Sequence, residues 1–306
     1  MRRRAQEAAA TPAAAPVTTL PAQFDEWQIE LHGRRVIYRV AGSGPPIVLI
    51  HGLGGTFRYW LESAGHLAAH FRVLMPDVPG FGCSDPAAQP FSMSAAGERV
   101  LAACEQLGAR CPVLVGHSLG GPIAALAAAQ APGRVGGVVL ISTTGLSPER
   151  AWRRYVLLPV MRRALRHPRT WENLLASHAW MRSVVFMKML ARPRELDPFT
   201  TRMLVGGASL ARQLGDALEA SLACDLRDTL RELALPLGVV WGEHDETVSV
   251  LDAELVQRLR PDTRARIVPG AGHLPMVEFP KEFARALGDV LPDGWQRDHS
   301  RVGSSR

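Results

Sequence analysis

A chain of 306 residues, 47% of them apolar, can bury a sizeable core, and its length suits one large α/β domain carrying an insertion. No run approaches the ~18 continuous apolar residues that a membrane-spanning helix requires, which argues against a transmembrane protein. The formal charge of +6 is small and dispersed, and neither zinc-finger spacing nor an RNP-like aromatic pattern is present, so nucleic acid is not an expected partner.

The chain opens with Arg2, Arg3 and Arg4 and an Ala-rich stretch, but Gln6, Glu7, Thr11, Pro12 and Pro16 interrupt any apolar core that a secretory signal would need. Residues 1–22 are therefore read as a disordered leader. Two strand-like runs between Trp27 and Val40 flank Leu31-His32-Gly33-Arg34, which predicts an entry hairpin. Short apolar runs then alternate with helical patterns: Ile47 to Ile50, Arg72 to Met75, Val113 to Val115, Val138 to Ile141, Leu237 to Trp241 and Ala265 to Val268. Such alternation predicts an α/β fold with a mostly parallel central sheet flanked by helices, because parallel strands need crossovers and are buried on both faces.

One interval breaks the rhythm. Between Ser142 and Leu237 only helical stretches appear, punctuated by Pro148, Pro159, Pro168, Pro193 and Pro198. A structureless loop of that length is improbable in a compact domain, so an inserted helical lid is expected over 145–223, with the core formed by 23–144 and 224–292. Residues 293–306 are polar and read as a flexible tail. The cysteines, Cys83, Cys104, Cys111 and Cys224, lack the close paired spacing of a metal site and fit reduced thiols in a cytoplasm.

The chemistry is carried by three loops. Val113-Leu114-Val115 runs into Gly116-His117-Ser118-Leu119-Gly120-Gly121 and then into an Ala-rich helix, placing G-x-S-x-G on a strand-to-helix turn. Ser118 Oγ would stand at a helix N-terminus, where free N–H groups and the helix dipole favour developing negative charge. A serine hydroxyl needs a base, and the base a carboxylate to hold it. After one strand comes Gly242-Glu243-His244-Asp245, and after the next Gly270-Ala271-Gly272-His273. Both loops lie at the carboxyl edge of the sheet, where open α/β sheets bind ligands. Glu243 and Glu246 are neighbours of Asp245 that a small register error would bring into play.

The order Ser, Asp, His with these flanking residues resembles the α/β-hydrolase superfamily from about Trp27 to Leu291. His51-Gly52-Leu53-Gly54 looks like its oxyanion turn, and Asp77-Val78-Pro79-Gly80-Phe81-Gly82-Cys83-Ser84 resembles the segment after its fourth strand. The resemblance implies Ser118 as nucleophile, His273 as base, Asp245 as the acid, and the backbone N–H groups of Leu53 and Leu119 as the oxyanion hole. It also implies that His51 shapes the oxyanion turn and that His117 supports the elbow. Relatives that attack with a carboxylate, the haloalkane dehalogenases and epoxide hydrolases, are disfavoured by Ser118.

The expected function is hydrolysis of a carboxylic ester or related acyl compound through an acyl-Ser118 intermediate, without metal or cofactor, on a small hydrophobic substrate. The alternatives are a C–C bond hydrolase of the meta-cleavage product type, using the same residues, and a non-catalytic ligand-binding protein on the same fold. Residues 150–212 carry thirteen Lys or Arg against three Asp or Glu, so the remainder of the chain is net acidic. That excess is an ordinary solvated helix face or a surface that recruits an anionic substrate, a carrier protein or a lipid surface.

Overall fold

A computed structural model describes residues 24–86, 90–147 and 168–292. Residues 1–22 and 293–306, the expected leader and tail, and residues 148–167 of the expected lid, with six of its thirteen basic side chains, fall outside the described residues.

Strands β1 (Asp25–Leu31) and β2 (Arg34–Ala41) form the entry hairpin, with Leu31 opposite Arg34. His32 and Gly33 at its tip take φ of 51° and 70°, the left-handed values that a two-residue hairpin turn demands. Then follow β3 (Pro46–Ile50), β4 (Arg72–Pro76), β5 (Val113–His117), β6 (Gly137–Ile141), β7 (Leu237–Gly242) and β8 (Arg264–Val268). The sheet order is β1-β2-β4-β3-β5-β6-β7-β8. The β1–β2 and β2–β4 pairs are antiparallel, and every pair from β4–β3 to β7–β8 is parallel.

The predicted apolar runs become central strands because both faces of the sheet are covered. Alternate side chains enter opposite cores: Val48, Ile50, Leu74 and Leu114 pack on one face, and Ile47, Leu49, Val73, Val113 and Val115 on the other. The first core is closed by α2 (Met93–Gln106) and α3 (Gly120–Gln130), and the second by α1 (Leu61–Leu67) and α11 (Pro280–Val290). Helix α2 starts where Ser92 Oγ accepts the Ala95 N–H at 3.3 Å, an N-cap bond. Helix α11 starts on Pro280 and buries Phe283, Ala286, Leu287 and Val290, the spacing of one helical face.

Between β6 and β7 the described chain is helical: α4 (Pro168–Ser177), α5 (Ala179–Val185), α6 (Pro198–Ser209), α7 (Leu214–Ala223) and α8 (Arg227–Glu232). Helices α9 (Leu251–Leu259) and α10 (Pro275–Glu278) follow β7 and β8. Of the basic residues counted in the insertion, Arg182 is not on a solvated face. It is buried, and its guanidinium donates to the carbonyls of Leu175 and Ala176 at 3.0 Å and of Arg194 at 3.2 Å, closing the end of α4. Conversely, Trp180 is 62% exposed, while Leu175, Phe186 and Leu190 supply the inward apolar face. Among the described residues, no helix is long and apolar enough to cross a membrane.

Candidate active site

Ser118 follows the last residue of β5 and is held by its backbone. Its N–H donates to Ile141 O at 3.0 Å, and its carbonyl accepts the Gly121 N–H at 3.0 Å. This bend forces φ to +52°, a left-handed value that costs a non-glycine residue on the order of 1 kcal/mol or more. The flanking glycines are required by contact. A Cβ at Gly116 would lie 2.2 Å from Gly120 O, and one at Gly120 would lie 2.2 Å from Ile50 O. Helix α3 begins two residues after Ser118, so its positive end faces the hydroxyl's surroundings.

The His51–Leu53 turn packs on the serine, since a Cβ at Gly52 would stand 2.9 Å from Ser118 Cβ. His51 Nε2 accepts the Val78 N–H at 3.0 Å, which leaves the proton on Nδ1, and Nδ1–H donates to Gly52 O at 2.9 Å. Gly52 O also accepts the Gly55 N–H at 3.0 Å. In a trans peptide the C=O and N–H point oppositely, so fixing Gly52 O fixes the direction of the Leu53 N–H. Burial pushes the His51 pKa down, which keeps the ring neutral and this tautomer in place.

At the neighbouring strand ends, His273 Nδ1 donates to Asp245 Oδ2 at 2.8 Å, and both side chains are almost wholly buried. Asp245 Oδ1 accepts the N–H groups of Thr247 and Val248, each at 2.8 Å, so three donors fix the carboxylate. With Nδ1 protonated, the His273 Nε2 lone pair is the free acceptor. The two loops touch: a Cβ at Gly242 would lie 1.9 Å from Gly272 O. His117 joins this pair to the elbow. Its Nε2–H donates to His273 O at 2.9 Å, and the two rings lie 4.8 Å apart. Burial first, and then the neighbouring His273, push the His117 pKa well below its ordinary value.

The structure thus brings Asp245 and His273 into direct contact and places Ser118 beside them through His117. Among the described residues no hydrogen bond joins Ser118 Oγ to His273, a contact that is often long in substrate-free enzymes. Glu243 is exposed and accepts the Gly270 N–H at 2.8 Å, and Glu246 is exposed beside Lys188 at 4.0 Å. Neither of these two carboxylates has a hydrogen bond to His273. A cavity of about 260 Å³ lined by Pro236, Arg260, Asp262, Arg264 and Pro292 lies at the opposite, amino-terminal ends of β7 and β8, and among the described residues no Ser, Cys or His lines it. Among the described residues no group of three or more His, Cys, Asp or Glu is arranged to hold a metal ion.

Sequence reading passed over three residues near the site. Glu278 accepts the N–H groups of Ala191 and Gly272, Met189 O accepts the His273 N–H, and Asp252 accepts a hydrogen bond from Ser147. Glu278 had a signal of a kind, a lone acidic residue five positions after His273 in an apolar turn. The other two had none.

A mostly parallel sheet with a strained serine at the strand-to-helix turn after β5, and a His–Asp pair on the loops after β7 and β8, defines the α/β-hydrolase class. Residues 45–280 match the family model for the alpha/beta hydrolase fold, and the chain belongs to that family. It is similar to the pimeloyl-[acyl-carrier protein] methyl ester esterase of Edwardsiella ictaluri, with 31% identity over 82% of this chain and 95% of that protein. It is also 32% identical to the dihydrolipoyllysine-residue acetyltransferase component of the acetoin cleaving system of Pseudomonas putida, over 84% of this chain and 67% of that one. Among solved structures, a membrane phospholipase A described as a bacterial virulence factor superposes with a TM-score of 0.72 at 27% identity, covering 90% of this chain and 87% of its own.

Proposed function

We propose that the protein hydrolyses a carboxylic ester through a covalent acyl-Ser118 intermediate. The observation that carries this reading is the buried 2.8 Å His273–Asp245 pair, linked through His117 to a serine held at φ +52°. His273 Nε2 takes the Ser118 proton as Oγ attacks the acyl carbon, and the N–H groups of Leu53 and Leu119 receive the oxyanion. Nε2 then protonates the departing alkoxide. Water, deprotonated by the same nitrogen, attacks the acyl-enzyme, and the carboxylic acid leaves with Ser118 restored. Asp245 holds the ring in the required tautomer and stabilises the imidazolium.

Residues 145–223 act in this reading as a lid over a small hydrophobic acyl pocket. Its support is contact: the α6 backbone at Gly207 meets the oxyanion turn at Gly54 O, and Leu190 meets Gly272. The relative named as a pimeloyl-[acyl-carrier protein] methyl ester esterase favours an acyl ester over the C–C bond alternative, and it supports a carrier protein as partner for the basic insertion.

A panel of methyl and p-nitrophenyl esters, thioesters and a dienoic diketone, run against wild type and Ser118→Ala, tests the reading. Ester turnover lost in Ser118→Ala is the expected result. Faster turnover of the dienoic diketone than of any ester would replace it with C–C hydrolysis, and binding without turnover would make the protein a receptor.

A further inference from the structure

Two direct hydrogen bonds and one carboxylate bridge tie the stretch Lys188–Ala191, in the segment between β6 and β7, to the loops that carry Asp245 and His273. Thr247 Oγ1 donates to Lys188 O at 2.6 Å, and the His273 N–H donates to Met189 O at 2.7 Å. Glu278 Oε2 accepts the Ala191 N–H at 2.7 Å, and its Oε1 accepts the Gly272 N–H at 2.8 Å. The main chains meet directly, because a Cβ at Gly272 would lie 2.7 Å from Ala191 N and 2.9 Å from Leu190 Cα.

His273 is the residue whose placement these bonds decide. It follows Gly270-Ala271-Gly272, a run with more backbone freedom to lose than any ordinary sequence. Its own N–H and carbonyl are held by Met189 and His117. What pins the glycine immediately before it is the Glu278 carboxylate, which grips the insertion with its other oxygen.

We propose that Glu278 is a positioning residue whose carboxylate bridges Ala191 and Gly272, coupling the seating of the insertion over the site to the alignment of His273. This rests on the reading of Ser118, His273 and Asp245 as a catalytic triad. Burial pushes the Glu278 carboxyl up, and N–H groups from Ala191, Gly272, Leu274 and Arg192 pull it back, as expected of an acceptor built into a donor cage. An amide cannot substitute, since its NH₂ would replace an oxygen that accepts from Ala191 or from Gly272 and leave that N–H unsatisfied.

The test compares wild type, Glu278→Gln, Glu278→Asp and Thr247→Val by fluorophosphonate labelling of Ser118 and by amide hydrogen exchange. In Glu278→Gln the labelling rate constant falls about 10- to 100-fold, the scale of a small misplacement of a reacting group, and kcat on an ester falls with it while KM holds. Exchange accelerates together in peptides spanning 186–191 and 270–274, and that of β5 and β6 does not change. Glu278→Asp, which keeps the charge on a shorter stem, recovers part of the rate. Thr247→Val loosens 186–191 in the same direction by less.

Labelling of Glu278→Gln within about twofold of wild type, or loosening of only one of the two segments, would overturn the coupling and leave Glu278 a local staple. Should wild type itself fail to label, the triad reading fails separately and exchange alone decides, joint loosening supporting the bridge and separate loosening overturning it. If Glu278→Gln is not recovered folded, Glu278→Asp and Thr247→Val carry the same two readouts.

Discussion

The ring of His117 donates from Nε2 to the main-chain carbonyl of His273 at 2.9 Å, so the residue before Ser118 holds the backbone of His273. Burial of the His117 ring penalises its charged form first, and the neighbouring His273 adds to that penalty. The folded state therefore keeps this ring neutral, with a pKa well below the ordinary 6.5, while the unfolded chain takes up the proton as pH falls through that value. Between the two pKa values the unfolded state binds more protons, so the stability contribution is whole above pH 6.5 and lost progressively below it. In denaturant titrations, His117→Gln should flatten the fall in unfolding free energy between about pH 6.5 and 5 by up to ~1.4 kcal/mol per pH unit. An unchanged slope would show that His117 carries no linked proton.

The left-handed backbone at Ser118 separates stability from chemistry. Ser118→Ala and Ser118→Gly should both lose turnover, but glycine accepts φ +52° without strain and alanine does not. The glycine variant should therefore be the more stable of the two inactive proteins by about 1 kcal/mol, read as a higher Tm. Equal Tm values would mean that the bend stores no strain.

Three carboxyl groups crowd the loop after β7, and only Asp245 is bonded to His273. Asp245→Asn should leave the Tm near wild type and lower kcat by about 10⁴, since the amide favours the wrong imidazole tautomer. Glu243→Gln and Glu246→Gln, altering exposed groups without a bond to His273, should change kcat by less than about threefold. A crippled Glu243→Gln would transfer the role of the acid.

The loops that carry Asp245 and His273 approach so closely that Gly242 is a structural requirement. In Gly242→Ala the new Cβ would meet Gly272 O and Ala271 O at 1.9 and 2.6 Å, and both are main-chain atoms that cannot rotate away. The loops must separate, at a cost of about 1–3 kcal/mol of overpacking strain. Activity should fall further than stability, by about 100-fold, as Asp245 and His273 lose register. Full activity with a lowered Tm would show that the loops move without disturbing the pair.

How much of this was legible beforehand follows from what each feature is made of. Buried parallel strands announce themselves as apolar runs, and the bounds of β3, β5 and β6 fall within a residue or two of those runs. The elbow is legible because its glycines stand at fixed spacing about Ser118, although only Gly116 owes this to a contact inside the motif, and Gly120 is dictated by Ile50 O. The chain order of Ser118, Asp245 and His273 could be read as motifs on strand ends, although their distances could not. Glu278 is marked in the sequence only as a lone acid in an apolar turn, and its role was not legible, because its partner Ala191 lies 87 positions away and is reached through a main-chain N–H, which any residue but proline supplies. Met189 contributes only a carbonyl, so its identity carries no signal at all. The burial of Arg182 was equally hidden, for carbonyl ligands at a helix end leave no mark on a count of charges.

The central claim is that Ser118 becomes a nucleophile through His273. The most direct measurement is intact-protein mass spectrometry after exposure to a fluorophosphonate, followed by peptide mapping, on wild type and His273→Ala. Wild type should gain a single probe mass, mapped to Ser118, and His273→Ala should label at least about 100-fold more slowly. No adduct on folded wild-type protein, an adduct on another residue, or equal labelling of the two proteins would contradict the account.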